Sequence, residues 1–217
     1  GIDLYPSDHK PLPEINTQMT ELGQHFTAEI SASKGIVLLQ PVQLTGLPDA
    51  YIKSHPPAPD GKVEITTDYP DYYPFVKYAL DREAAKQLYI KFVNRGGVGN
   101  VRRLDKLLAL RYEKAQLLGY DTWADYAIEP RMAKDAAAVR AFLQRVSAAI
   151  KPAVDKELAE FKTEFVSVVK NPHRPMSPAD RYFLTERLQE KRVNFDSKEP
   201  ANYFEIERVT QGLPDTA

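Results

Sequence analysis

The sequence contains no cysteine. That removes disulfides, cysteine nucleophiles and thiolate metal ligands together, and it favours a reducing compartment such as the cytoplasm. There is also no His-Glu-x-x-His. The residues after His9, His25, His55 and His173 are Lys10, Phe26, Pro56 and Arg174. A helical two-histidine zinc site with a glutamate base therefore cannot be built from this chain. No apolar run approaches the roughly 20 residues that span a bilayer. The opening Gly1-Ile2-Asp3-Leu4 has neither the basic flank nor the apolar stretch of a signal peptide. A surplus of one charge is missing too, with 29 Lys plus Arg against 30 Asp plus Glu. Without that surplus, and without an evident basic amphipathic face, neither nucleic acid nor a membrane surface is an expected partner.

What remains is an ordinary folding composition. Hydrophobic residues make up 43% and charged residues 27% of 217 positions, enough to bury a core in one large domain or two small ones. Residues 1–13, with Pro6, Pro11 and Pro13, read as an extended lead-in. Residues 14–217 read as a helical body, subdivided, if at all, near 61–70. From Glu14 to about Ser33 the residues Ile15, Met19, Leu22, Phe26 and Ile30 recur at spacings of three and four, one face of a helix. Ile36–Leu39 is a candidate strand, and the alternation in Lys62–Thr66 makes a better one. A Pro-rich loop, 56–61, lies between them.

Beyond Asp71 the pattern is helical. Asp81 can cap a helix reaching about Asn94. The glycine run Gly96-Gly97-Val98-Gly99 reads as a flexible connection. Asn100 then caps a helix with Val101, Leu104, Leu108, Ala115 and Leu118 on one stripe, stopped by Gly119. Thr122 can cap a shorter helix. Asp135 opens a long segment carrying Val139, Phe142, Val146, Ile150, Leu158, Phe161 and Phe165, which Pro152 should bend or break. Ser177-Pro178-Ala179-Asp180 offers a cap, a proline at the first helical position and an acidic capping-box partner. The expected fold class is mostly α, a multi-helix segment with at most a small β element.

Few residues suggest chemistry. His25 lies between Glu21 and Glu29, one helical turn away on either side, and an i, i+4 His/Glu pair can hold a metal. A solvated polar stripe explains the same spacing. The glycine run before Asn100 could cradle an anion, but it has no Lys-Ser/Thr follow-up and no convincing preceding strand. Asp68-Tyr69-Pro70-Asp71-Tyr72-Tyr73-Pro74-Phe75 could line a peptide groove or simply pack a core. Arg102, Arg103 and Lys106 form a small basic face, solvated or paired with acids such as Asp105. No Ser-His-Asp set stands out. No catalytic, metal-binding or substrate-binding residue is assigned.

Several segments resemble, in order, the thimet oligopeptidase, neurolysin and oligopeptidase A family. Leu47-Pro48 within Leu44–Pro48 is similar to its Gly-Leu-Pro element, and Tyr69–Phe75 to its Tyr-Pro-x-Tyr-x-Pro segment after a short strand. Leu107–Tyr120 resembles Leu-Arg-x-x-x-Ala-x-Leu-Leu-Gly-Tyr/Phe. Ala124-Asp125-Tyr126 and Met132-Ala133 follow, then Tyr203-Phe204 and Val209–Leu213. One departure is Pro178-Ala179-Asp180, where the family usually has Trp-Asp before the helix.

The resemblance implies a two-lobed helical peptidase with a deep channel for short peptides. It implies zinc for the parent enzyme, held by a His-Glu-x-x-His helix and a downstream Glu that lie C-terminal to the matched stretch. This chain is then expected to be an internal, non-catalytic segment of channel wall, inactive alone, whose partners are short peptides and the catalytic half. The alternative is a free-standing helical peptide-binding module without catalysis.

Overall fold

The computed structural model describes residues 11–169, 173–194, 203–204 and 206–216. Nine α-helices are present among the described residues: α1 (Pro11–Ala32), α2 (Asp49–Ser54), α3 (Tyr69–Tyr78), α4 (Arg82–Val93), α5 (Gly97–Leu117), α6 (Trp123–Ile128), α7 (Ala136–Val168), α8 (Arg181–Val193) and α9 (Ile206–Thr216). The strands β1 (Ile36–Leu39) and β2 (Val63–Thr66) form one antiparallel pair, Ile36 opposite Thr66 and Leu39 opposite Val63. The mostly-α expectation holds, and both candidate strands exist. Of the expected lead-in, residues 1–10 lie outside the described residues, whereas Pro11–Pro13 already belong to α1. Proline is tolerated there because the first helical N–H groups have no intrahelical acceptor.

The chain divides into two compact units: Gly1–Lys34 with Asn94–Glu157, and Gly35–Val93 with Leu158–Ala217. The second unit has the core. Val37 and Leu39 on β1 and Val63 and Ile65 on β2 face inward and are buried, as the strand period of two requires. They meet Tyr72, Phe75 and Val76 of α3 and Ala84, Ala85 and Leu88 of α4. Tyr72 stacks on Phe92 with ring centroids 3.7 Å apart. Of the aromatic-acid segment, Tyr72 and Phe75 belong to the core, as the packing reading anticipated, whereas Tyr69 and Tyr73 are exposed. Full burial of a side chain such as Phe75 or Ile65 stabilises by roughly 1.5–3 kcal/mol.

Gly46 closes the turn before α2 with φ +96°, where an added Cβ would sit 2.5 Å from the Tyr78 carbonyl oxygen. Gly61 has φ +78° but open space around it. Gly46→Ala is therefore expected to cost about 1–3 kcal/mol from left-handed strain plus the clash. Gly61→Ala is expected to cost visibly less. Urea unfolding of the two variants side by side checks this.

Local capping follows the sequence closely. Asp81 Oδ1 accepts from the backbone N–H groups of Glu83 (3.1 Å) and Ala84 (3.0 Å). Thr122 accepts from the Asp125 N–H. Ser177 and Asp180 form the reciprocal capping box before α8. Gly119, at φ +83°, ends α5, with Tyr120 N–H donating to Ala115 O and Gly119 N–H to Gln116 O. That is the paired-bond glycine stop.

Three expectations need correcting. The glycine run is not a loop: Gly97-Val98-Gly99 are the first residues of α5, and Gly96, at φ +80°, is its N-cap. Asn100 is therefore not a cap. It is buried inside α5 and donates from Nδ2 to the Phe26 carbonyl of α1 at 2.9 Å, while its Oδ1 accepts from Arg103. Pro152 does not end a helix either, since α7 continues from Ala136 to Val168. Proline removes only one ladder bond, and the other turns of so long a helix carry it through.

The first unit is built differently. Its helices α1 and α5 pack together, yet among the described residues it buries only Ile15 and Ala115 of its apolar side chains. Leu104 and Leu108, placed by their spacing on a packed stripe, are 41% and 50% exposed.

Candidate functional site

In the first unit, α1 and α5 border an open groove of about 520 Å³ lined by Gln18, Glu21, Leu22, His25, Lys106, Ala109 and Leu110. Positions 18, 21, 22 and 25 fall on one face of α1 because they lie three, four and seven residues apart. Leu22, Ala109 and Leu110 give it apolar lining. Gln18, Glu21, His25 and Lys106 set donors and acceptors of both charges around the rim. A volume of this size is in the range of small-ligand sites, roughly 300–1,000 Å³.

The structure therefore brings His25 and Glu21 together in one site, but not Glu29. Glu29 accepts instead from Arg103 at 3.3 Å. Within the basic face Arg103 is thus paired with an acid, Glu29, while Arg102 and Lys106 are exposed. Among the described residues, no three His, Cys, Asp or Glu side chains form a set able to hold a metal ion. The described residues do not fit a zinc site, and the resemblance places the zinc ligands of the parent C-terminal to the matched stretch. A second hollow in this unit, about 610 Å³, lies beside Trp123, Tyr126, Pro130 and Arg131.

One constellation escaped sequence reading. In the second unit Ser54 Oγ lies 3.1 Å from His55 Nδ1, and His55 Nε2 lies 3.2 Å from Asp71 Oδ1. The residue types match a nucleophilic triad, but the bonding does not. His55 Nδ1 faces the Tyr51 carbonyl oxygen at 2.8 Å, and a carbonyl only accepts, so Nδ1 carries a hydrogen. It cannot take a proton from Ser54, whose hydroxyl donates to that same carbonyl at 2.8 Å. The other oxygen of Asp71 accepts from the N–H and hydroxyl of Thr66. The group is a clasp at the end of α2, reinforced by the Tyr51–His55 ring stack at 4.3 Å. Burial, with the Asp71 charge adding to it, pushes the Tyr51 hydroxyl well above the usual tyrosine range. Of the remaining histidines, His173 is exposed, and His9 lies outside the described residues.

The buried charges of the second unit are equally committed. Asp180 Oδ1 accepts from Arg82 Nε (3.2 Å) and Arg174 (3.1 Å), and Oδ2 from Ser177 N–H (2.9 Å) and Ser177 Oγ (3.0 Å). Arg82 also donates to the carbonyls of Val76, Ala79 and Ala179. Glu164 is held by Arg187 at 2.8 Å and by Lys191. Both carboxylates are therefore held by cationic partners within the second unit.

Comparison with known proteins settles what this helical chain is related to. A model of peptidase family M3 matches residues 75–217, well over half of the chain. The chain belongs to peptidase family M3. Saccharolysin of Saccharomyces cerevisiae is 28% identical over 98% of this chain and 31% of its own length. Mitochondrial intermediate peptidase of Arabidopsis thaliana is 27% identical over 98% of this chain and 32% of its own. Oligopeptidase A of Haemophilus influenzae is 26% identical, with 98% and 33% covered. The chain thus spans about a third of the length of the curated relatives it matches. The matched residues 75–217 include the segments Leu107–Tyr120 and Ala124-Asp125-Tyr126.

Proposed function

We propose that this M3 chain is a non-catalytic helical portion of a zinc-dependent oligopeptidase, and that the α1–α5 groove is a stretch of wall along which a short peptide lies. The observation that carries the reading is the groove: apolar lining with Gln18, Glu21, His25 and Lys106 on its rim. Family membership supports it, because the relatives are named as peptidases and oligopeptidases. So does the absence of His-Glu-x-x-His from the sequence. In this reading cleavage belongs to a separate catalytic segment, and the residues here bind and orient. Lys106 would pair with the peptide's carboxylate, Glu21 with its ammonium, and Leu110 with an apolar side chain.

The test is fluorescence anisotropy of a labelled short peptide with a free C-terminal carboxylate. Lys106→Glu is expected to weaken binding about tenfold, the size of one charge-assisted hydrogen bond, and Leu110→Asp to weaken it as well. Binding that neither substitution changes contradicts the assignment of this groove.

A further inference from the structure

The first unit has little core to fix how α1 lies on α5. Among the described residues its buried apolar side chains are Ile15 and Ala115, and both sit at one end of the helix pair. Their sequence neighbours Asn16 and Lys114 meet across it, Lys114 Nζ donating to Asn16 Oδ1 at 2.6 Å. Trp123 and Tyr126 steady that lysine, whose Nζ is 5.8 and 5.6 Å from their ring centroids. At the other end Asn100 of α5, only 5% exposed, donates from Nδ2 to the Phe26 carbonyl of α1. The groove lies between these two ties. Its α1 residues, 18 to 25, fall between Asn16 and Phe26, and its α5 residues, 106 to 110, between Asn100 and Lys114.

Asn100 differs from the other contact at its end. Arg103 and Glu29 pair through side chains 29% and 49% exposed, and such long, solvated groups can follow a shift of the helices. The Phe26 carbonyl cannot follow, because it is fixed in the α1 backbone. A slide of half a helical turn, about 2.7 Å, would strand a buried amide, and an unmade bond costs more than a made one contributes. The amide itself is held in place. Its Oδ1 accepts from Arg103 at 2.9 Å, and Gly96 leaves it room, since a Cβ there would lie 2.3 Å from Nδ2. Fixing register is the best-attested use of a single buried asparagine between paired helices.

We infer that Asn100 is a positioning residue for the groove: its amide sets the register of α5 on α1, and that register brings Lys106 and Leu110 into one groove with Glu21 and His25. The inference rests on the groove reading above. Asn100 is not among the residues that line the groove, so it acts on a bound peptide only through the two helices.

The chain has no cysteine, so spin labels on Gln24→Cys and Arg102→Cys go nowhere else. Both positions are exposed and outside the groove, and double electron–electron resonance reads the distance between them in the full chain. Asn100→Asp keeps the side chain's size and its acceptor for Arg103 but sets an oxygen against the Phe26 carbonyl. It is expected to move or broaden the distance distribution by about 3 Å, half a helical turn. It should also weaken the labelled carboxylate peptide about tenfold, as loss of the Lys106 contact would, with unchanged circular dichroism. Asn100→Ala removes the donor without the repulsion and should act in the same direction. Glu29→Gln removes only the exposed ion pair and should leave the distance in place and the affinity within about twofold. An unmoved distance in both Asn100 variants would overturn the inference. So would a moved distance with unchanged affinity, or an equal effect of Glu29→Gln. An unsubstituted chain that binds no peptide, with the distance still moved in Asn100→Asp, would overturn the groove reading and leave the register role of Asn100 standing.

Discussion

Replacing Asp180 with alanine is expected to lower stability by about 3–5 kcal/mol, the range for breaking a buried ion pair from one side. Asp180 is fully enclosed and Arg82 is 5% exposed. Their contact spans 98 positions of sequence. Removing the carboxylate leaves two guanidinium groups, those of Arg82 and Arg174, facing each other without their shared acceptor. The helix entry before α8 also loses its capping box. If uncompensated charge is the cause, the paired variant Arg82→Met with Asp180→Leu should cost less than Asp180→Ala alone. Equal losses would instead point to packing.

The same carboxylate sets an acid limit. Burial alone would push Asp180 up, but the Ser177 N–H, the bond from Arg174 and the charges of Arg82 and Arg174 outweigh it and hold it below the usual aspartate range. Glu164 is likewise lowered: its desolvation is overcome by Lys191 and Arg187. A depressed folded-state value means stability that is present above the unfolded value, about 3.9 for Asp and 4.3 for Glu. It is lost as pH falls through the lower folded values. Denaturant midpoints should therefore hold steady down to about pH 5 and then decline. Asp180→Ala should flatten that decline.

The second large effect belongs to the core. Phe75 is 0% exposed, enclosed by the sheet, α3 and α4. Phe75→Ala should cost about 3–5 kcal/mol, the lost transfer energy plus a cavity that rigid neighbours cannot fill. Leu143→Ala, at a side chain 58% exposed, should change stability by no more than about 0.5 kcal/mol. Both are alanine truncations of large apolar residues, so the contrast isolates burial. Thermal unfolding of the two variants measures it directly. A large loss at Leu143 would mean that the α7 face is already covered in the isolated chain.

What the sequence made legible was local. Asp81, Thr122, Ser177 with Asp180, and Gly119 were readable because a cap and its partner lie within a few positions. β2 was readable from its alternation and β1 from its short apolar run. Asn100 was misplaced because its partner, the Phe26 carbonyl, lies 74 positions away, and nothing near residue 100 points to it. Asp180 looked like a helix start and is also the centre of a long-range network. The clasp of His55 and Asp71 was invisible for the same reason. Pro152 did not break the helix, because it is one missing donor in a 33-residue helix.

Periodicity has a limit of its own. It identified the apolar stripes of α5 and α7 without indicating whether anything covers them. In the groove, the spacing of Glu21 and His25 was visible, but their joining with Lys106 depends on how α1 packs on α5. A sequence motif reports family membership well because it is linear. A groove assembled across two helices is not linear.

The central claim is that this M3 chain contributes peptide-holding structure and no hydrolysis of its own. It is tested most directly by incubating the purified 217-residue chain with a short quenched fluorogenic peptide and added zinc. The account predicts no cleavage above the zinc-only control. Cleavage that follows the chain's concentration and disappears with a chelator would contradict it.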